Sequence, residues 1–149
     1  MSMIVESTVI LPITAAKAFE LLRRSDTLAK VAAGVMTYDT EALWPKYWQV
    51  DQKVNLKPRL RGVPQGDHYV TFTTIDEGKR ELKTEEFGGP IKSWKHTMIL
   101  RDTPVGTCFY TDHIVIDAGW KTLWIWLFAK FFYRHRQKRW LKLLANGEL

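Results

Sequence analysis

Hydrophobic and polar residues alternate along most of the first 117 residues, a period of two that predicts β-strands. The first alternating segment covers residues 3–11, is rich in β-branched side chains and ends at Pro12. Turns rich in Gly and Pro separate several of the later segments. Five of these are predicted as strands: 47–56, 68–76, 80–87, 91–101 and 107–117. Strands joined by such turns are expected to pair into an antiparallel sheet.

Two short helices are predicted between the first and second strands. Thr14 is placed to accept a backbone hydrogen bond at the start of a helix over 15–23. Ser25 or Asp26 can cap a second helix, which would end just before the segment 35–46. That segment has no clean period and is predicted to be a loop.

The last thirty residues predict one long C-terminal helix. Residues 119–144 contain no acidic residue, no proline and no glycine after the first position. At about 100° per residue, one stripe of the helix is expected to face the sheet: Trp126, Ala129, Tyr133, Trp140 and Leu144. A second stripe continues from aromatic into basic residues: Trp120, Trp124, Leu127, Phe131, Lys138 and Lys142. One small sheet cannot cover both stripes, so the second is expected to meet another surface.

The charge of the chain is concentrated in this helix. Residues 1–117 carry fifteen basic and fifteen acidic side chains, whereas residues 118–149 carry seven basic and one acidic, which supplies the whole net charge of +6. Basic charge beside Trp and Phe suits a membrane surface or an anionic ligand. The strands carry no basic stripe and the chain has no RRM, KH or zinc signature, so no nucleic-acid partner is predicted.

Composition narrows the class of protein further. A single cysteine, Cys108, excludes an internal disulfide framework and fits a reducing compartment. The first residues lack a basic n-region and are interrupted by Glu6 and Pro12, so no signal peptide is predicted and we expect a soluble cytoplasmic protein. No HxH, HExxH or CxxC spacing predicts a metal site, and no nucleotide-binding motif predicts a cofactor.

Four segments carry a resemblance that extends over the whole chain, residues 1–149: IVESTVILPITAAKAFELL, GVPQGDHYVTFTTID, TEEFGGPIKSWKHTMIL and GTCFYTDHIVIDAGW. In them the chain resembles the START-like superfamily, also called SRPBCC, which includes Bet v 1 and the polyketide cyclases. The resemblance implies a single α+β domain with the helix-grip fold. In that fold a curved antiparallel sheet of six or seven strands wraps around a long C-terminal helix, and two short helices follow the first strand. It also implies an apolar cavity that binds hydrophobic small molecules or lipids and, in a minority of members, catalyses a reaction.

Strand register indicates which side chains share the concave face of the sheet. Pairing Asp76 with Lys79 would place Glu85 on that face. The last hairpin is ambiguous, because His96 faces either Asp112 or His113, so either Tyr110 with Asp112 or Phe109 with His113 shares its face. The candidate ligand-binding residues are Phe72, Glu85, Trp94, His96, Met98, Tyr110, Asp112 and Trp126.

Three functions therefore stay open at the level of the sequence. The first is binding of a hydrophobic or amphipathic small molecule or lipid under the C-terminal helix. The second is a cyclase-like enzyme in which His96 acts as a general base, oriented by Asp112 or Glu85. The third is docking to a membrane surface or to a second copy of the chain through Trp120, Trp124 and Phe131, unless the loop at 35–46 covers them.

Overall fold

The computed structural model describes all residues from 1 to 149, and a six-stranded antiparallel sheet is its largest element. Nine strands follow one another in the chain: β1 (Met3–Leu11), β2 (Met36–Tyr38), β3 (Lys53–Asn55), β4 (Pro58–Leu60), β5 (Val63–Pro64), β6 (Tyr69–Asp76), β7 (Glu81–Gly88), β8 (Ile91–Asp102) and β9 (Cys108–Asp117). The large sheet has the order β1-β9-β8-β7-β6-β3, and β2-β4-β5 form a small second sheet. The first and last strands are therefore neighbours.

Three helices complete the fold. They are α1 (Ala15–Arg23), α2 (Ser25–Ala32) and α3 (Thr122–Ala145), with single 3-10 turns at Glu41–Leu43 and Gly119–Lys121. One face of the sheet packs against α3, as the alternating burial of β9 shows. The predicted helix-grip fold is confirmed, with six strands in the main sheet.

The two short helices begin differently. The Thr14 hydroxyl accepts a hydrogen bond from the Lys17 backbone N–H at 3.3 Å, so the cap predicted for α1 is present. The cap predicted for α2 is wrong, because Arg24 precedes the helix and gives no side-chain cap. Ser25 is instead the first residue of α2, and its hydroxyl donates to the Pro45 carbonyl at 2.5 Å.

The segment between α2 and β6 differs most from the prediction. Of the strand expected over 47–56, only Lys53–Asn55 pairs with β6. Before it, the Trp48 N–H donates to the Arg23 carbonyl, and Asp51 has a positive φ of 65°, which interrupts an extended strand. The loop predicted over 35–46 contains β2 and a 3-10 turn. Strands of two or three residues are too short for a period of two to show in the sequence.

The register predicted for the β6–β7 hairpin is also wrong. A four-residue loop replaces the predicted tight turn, so Asp76 pairs with Glu81. A bulge at Thr73 then shifts the pairing by one residue, and Phe72 pairs with Thr84. A shift of one residue moves every later side chain to the other face of the sheet. Glu86 and not Glu85 consequently points toward the interior.

Candidate functional site

A cavity of about 390 Å³ lies between the concave face of the sheet, α3 and the small sheet. Its walls are mainly apolar and aromatic. The sheet contributes Val70, Phe72, Trp94 and Met98, α3 contributes Ile125, Phe128, Phe132 and Tyr133, α2 contributes Leu28 and Val31, and the segment between α2 and β6 contributes Tyr38 and Trp48. The volume falls in the range of small-molecule sites, which typically hold 300–1,000 Å³.

An aromatic series runs from the segment after α2 to β6, and three of its four rings, those of Tyr38, Trp48 and Phe72, line the cavity. The ring of Tyr38 lies 5.3 Å from Trp44, Trp44 lies 5.3 Å from Trp48, and Trp48 stacks on Phe72 at 4.9 Å. Such contacts favour one arrangement of rings over others. These ring contacts therefore fix the irregular segment before β6 against the sheet, where it forms part of the cavity wall.

The exposed members of the cavity lining mark its mouth. Gln65, Asp67 and Pro90 are exposed, and they belong to the β5–β6 connection and to the β7–β8 turn. The two turns touch at Gly88, where a Cβ atom would lie only 2.2 Å from the Asp67 carbonyl oxygen. A glycine is required there because any side chain would push the two turns apart.

A buried hydrogen-bonded cluster surrounds Asp112 on β9. Its Oδ1 accepts from His96 Nε2 at 2.7 Å and from the Tyr110 hydroxyl at 2.8 Å, while Oδ2 accepts from Gln137 Nε2 at 3.1 Å. Gln137 also donates to the Ser7 carbonyl and accepts from the Ser7 hydroxyl, each at 2.8 Å. This carboxylate thus connects three strands to α3.

These contacts keep Asp112 ionised. Burial raises the pKa of its carboxyl, but the hydrogen bond from His96, the charge of Arg136 and the hydrogen bond from Tyr110 together outweigh burial and hold the pKa below its ordinary value. An ionised carboxylate only accepts hydrogen bonds, so Nε2 of His96 carries the proton in their bond. The other ring nitrogen, Nδ1, lies 3.5 Å from the Tyr133 hydroxyl.

A second polar cluster lies on the neighbouring strands. His68 Nε2 and Glu86 Oε1 are 2.9 Å apart, and the Thr84 hydroxyl donates to Glu86 Oε2 at 2.7 Å. All three residues line the cavity. Burial raises the pKa of Glu86, but the hydrogen bond and charge of His68 more than offset it, so the pKa lies below its ordinary value.

Arg136 of α3 is the exception among the charged groups of the interior. It lines the cavity and is only 7% exposed, yet it forms no ion pair within 4.0 Å, and its buried Nε has no hydrogen-bond partner. Its guanidinium lies over the rings of Tyr133 at 5.0 Å and Phe132 at 5.7 Å. Arg136 is therefore a buried positive group at the cavity wall whose Nε–H is not used by the protein.

Four of the predicted site residues line the cavity: Phe72, Trp94, His96 and Met98. Tyr110 and Asp112 do not line it, because they lie behind His96 in the buried cluster. The pairing of His96 with Ile114 resolves the ambiguous hairpin in favour of Asp112, and places His113 on the other face.

Two predicted site residues lie elsewhere. Glu85 is exposed on the outer face of the sheet, because the bulge at Thr73 reverses the faces of β7. Trp126 lies at the β1 edge, where its indole N–H donates to the Ile4 carbonyl at 2.8 Å and Lys130 lies over its ring. The helix presents Phe128 and Phe132 to the cavity in its place.

Sequence reasoning missed Arg136, Gln137 and the His68–Glu86 pair. A signal for Arg136 was available, because it lies seven residues after Ala129 and four before Trp140, both on the predicted sheet-facing stripe. Its charge placed it with the solvent-exposed basic residues instead. Glu86 gave no such signal, since a single bulge determines which face it occupies.

Comparison with known proteins agrees with this architecture. Norcoclaurine synthase from Thalictrum flavum, as a point mutant in complex with a transition-state analogue, superposes with a TM-score of 0.70 at 10% identity, over 100% of this chain and 98% of that one. Ara h 8.0201 gives 0.65 at 10% identity, over 95% and 99%. The chain has the Bet v 1-like helix-grip fold.

The same fold occurs in a protein of a biosynthetic pathway. The di-domain ARO/CYC protein BexL, from the BE-7585A biosynthetic pathway, gives a TM-score of 0.70 at 11% identity, over 96% of this chain and 46% of that one. No protein-family model matches the sequence, and no curated protein is significantly similar to it. At such low identities the similarity establishes the fold and leaves the chemistry to the residues of this chain.

The outer face of α3 is apolar near its start and basic toward its end. Trp120 is 82% exposed, Trp124 67% and Phe131 50%, and the exposed bases Arg134 and Lys138 follow on the same side. The segment 35–46 leaves this stripe open, so the covering by that loop considered above is wrong. None of the three helices has a stretch long and apolar enough to cross a bilayer.

Proposed function

We propose that the protein binds a hydrophobic or amphipathic small molecule in the cavity under α3. The observation that carries this proposal is the cavity itself, about 390 Å³ with mainly apolar walls and a few buried polar groups. Such a lining matches the usual design of small-molecule sites, in which apolar walls provide binding energy and a few polar groups fix orientation. Burial of apolar surface of the ligand and the cavity wall contributes about 25 cal/mol of binding free energy per Å² removed from water.

The fluorescent probe N-phenylnaphthylamine tests cavity binding because it is neutral and apolar. Val70 faces the cavity, so Val70→Phe should occupy space and weaken probe binding about tenfold or more. Thr71 lies on the opposite face of the same strand, and Thr71→Phe is the matched control. Native mass spectrometry of freshly purified protein should also detect a bound molecule. A wild-type protein that binds no probe would contradict the proposal.

The His96–Asp112 pair favours catalysis as a second candidate function. Its geometry is that of a general base oriented by a carboxylate: Nδ1 of His96, which lies 3.5 Å from the Tyr133 hydroxyl, would accept the proton from a molecule in the cavity. The Asp112 carboxylate would stabilise the imidazolium that forms. The reaction class would be proton transfer on a bound carbonyl compound.

The molecule recovered from purified His96→Gln protein provides a test of catalysis. Incubated with wild-type protein it should be converted to a product, and His96→Gln should remove the conversion. His113→Gln is the control, because His113 lies on the outer face of the sheet. Recovery of the molecule unchanged from wild-type protein would leave binding as the function and exclude this step.

The outer face of α3 favours docking to an anionic membrane as an accessory function. The exposed Trp124 lies in the same part of α3 as Ile125 and Phe128, which line the cavity. Insertion of the aromatic residues would hold that part of the cavity wall at the lipid surface, while Arg134 and Lys138 meet acidic headgroups. Each basic residue near such a surface contributes about 1 kcal/mol.

Vesicles containing phosphatidylserine test this docking. Binding should weaken as salt rises, because the Debye length falls from about 10 Å at 0.1 M to about 3 Å at 1 M. Trp124→Ser should weaken it at every salt concentration, whereas Val105→Ser, at a site on the β8–β9 turn that is 81% exposed, should not. Salt-resistant dimers that ignore vesicles would contradict docking and identify the stripe as a contact between copies.

A further inference from the structure

We infer that the ligand of this cavity carries an oxyanion, a carboxylate or a phosphate, and that Arg136 binds it. This inference rests on the proposed binding function and specifies the class of molecule. It starts from one observation: the guanidinium of Arg136 is buried beside an apolar cavity, forms no ion pair within 4.0 Å, and has an Nε without a hydrogen-bond partner.

The cost of this arrangement is large. Taking a charged side chain out of water costs several kcal/mol unless hydrogen bonds and an opposite charge compensate. Arg has five N–H donors, and the one on the buried Nε of Arg136 has no acceptor within hydrogen-bond distance. Contacts with the ring faces of Phe132 and Tyr133 offset only part of that cost, since cation–π contacts contribute about 0.5–2 kcal/mol.

The nearby carboxylates are already in use. Asp112 accepts from His96, Tyr110 and Gln137, and Glu86 is bound by His68 and Thr84. Neither lies within 4.0 Å of the guanidinium. Arg136 is thus the ionised group of the cavity wall that still has a hydrogen-bond donor without a protein acceptor. Because its side chain lines the cavity, a molecule bound there can supply that acceptor.

An oxyanion is the complement of such a group. The planar fork of a guanidinium binds a carboxylate or phosphate through two parallel hydrogen bonds. Tyr38 also lines the cavity close to Arg136, and burial raises the pKa of its hydroxyl, which remains a donor. The apolar walls would then hold a hydrophobic body, with the anionic group near α3.

A pair of probes with one skeleton isolates the charge. Anilinonaphthalene sulfonate and N-phenylnaphthylamine differ by the sulfonate alone. Arg136→Gln should weaken binding of the anionic probe about 10- to 100-fold, the loss of a charged hydrogen bond, and change binding of the neutral probe less than about twofold. Lys95→Gln removes a positive charge from the outer face of β8 and should change neither affinity.

Competition against the neutral probe separates the possible sources of the anion. Dodecanoate and dodecyl phosphate should displace it better than dodecanol from wild-type protein, and the more effective of the two identifies the headgroup. Arg136→Lys keeps the charge without the fork and should recover part of the preference. It also serves as a second variant should Arg136→Gln fail to fold.

The outcomes distinguish this inference from the function on which it rests. If wild-type protein binds neither probe, cavity binding itself is wrong. If both probes bind and Arg136→Gln changes the two affinities equally or not at all, cavity binding stands and the preference for an anion is overturned. Water would then be the hydrogen-bond partner of Arg136.

Discussion

Asp112 and Arg136 are two buried charges in the same part of the interior, and the protein treats them in opposite ways. Asp112 accepts hydrogen bonds from His96, Tyr110 and Gln137, so its bonding capacity is met by the protein. Arg136 has no hydrogen-bond partner and faces open space. A saturated group of this kind holds a fold together, whereas an unsaturated one at a cavity wall is available to a ligand.

The comparison predicts unequal costs of removal. Asp112→Ala would leave three buried donors without an acceptor and should lower the free energy of unfolding by about 3–5 kcal/mol. Asp39→Ala is the control, because Asp39 also makes a 2.7 Å ion pair, with Arg59, but at an exposed site where removal costs about 0–1 kcal/mol. Urea unfolding of the three proteins measures both changes. Similar losses in the two variants would contradict the structural role of Asp112.

The two groups also differ in how far the sequence reveals them. The strands β8 and β9 are long and alternate clearly, so His96 and Asp112 could be predicted to share the inner face, although the sequence left His113 as an alternative. Arg136 belongs to a helix, where its position agreed with the buried stripe while its charge indicated solvent. Burial of a charge depends on tertiary contacts that no local pattern records.

The same contrast applies to the rest of the site. Phe72, Trp94 and Met98 could be placed in the cavity wall because apolar residues at alternating positions face the core. Glu85 could not be placed, because the faces of β7 depend on a bulge in the neighbouring strand. Trp126 belongs to the stripe of α3 that was predicted to face the sheet, but its indole contacts the β1 edge and does not line the cavity, because a helical stripe alone does not specify which strand each of its residues meets.

Low pH should destabilise the protein by protonating Asp112. The pKa of Asp112 is held below its ordinary value in the folded protein, so its ionisation contributes stability that is complete above about pH 5 and is lost as pH falls toward the folded pKa. The free energy of unfolding should therefore decline below about pH 4–5 in wild-type protein. Asp112→Asn should remove part of that decline, so the two curves converge at low pH.

Urea titrations from pH 3 to pH 7 would measure this convergence. Asp39→Asn is the control for the loss of an exposed carboxylate. If the Asp112→Asn curve runs parallel to that of wild type, ionisation of Asp112 does not contribute to the free energy of unfolding. Glu86, whose pKa is lowered by His68, should behave as Asp112 does.

Removal of the unsaturated charge should have the smallest effect on stability. Arg136→Met replaces a guanidinium that makes no hydrogen bond with an apolar side chain of similar length, which can pack against Phe132 and Tyr133. The variant loses the attraction between Arg136 and Asp112, which destabilises the fold, but it no longer has to bury a charged group, which stabilises it. Because these two effects oppose each other, the free energy of unfolding should fall by no more than about 1 kcal/mol. Urea unfolding of the ligand-free protein measures the change. A loss as large as that of Asp112→Ala would mean that Arg136 supports the fold, and its place beside the cavity would then need no ligand to explain it.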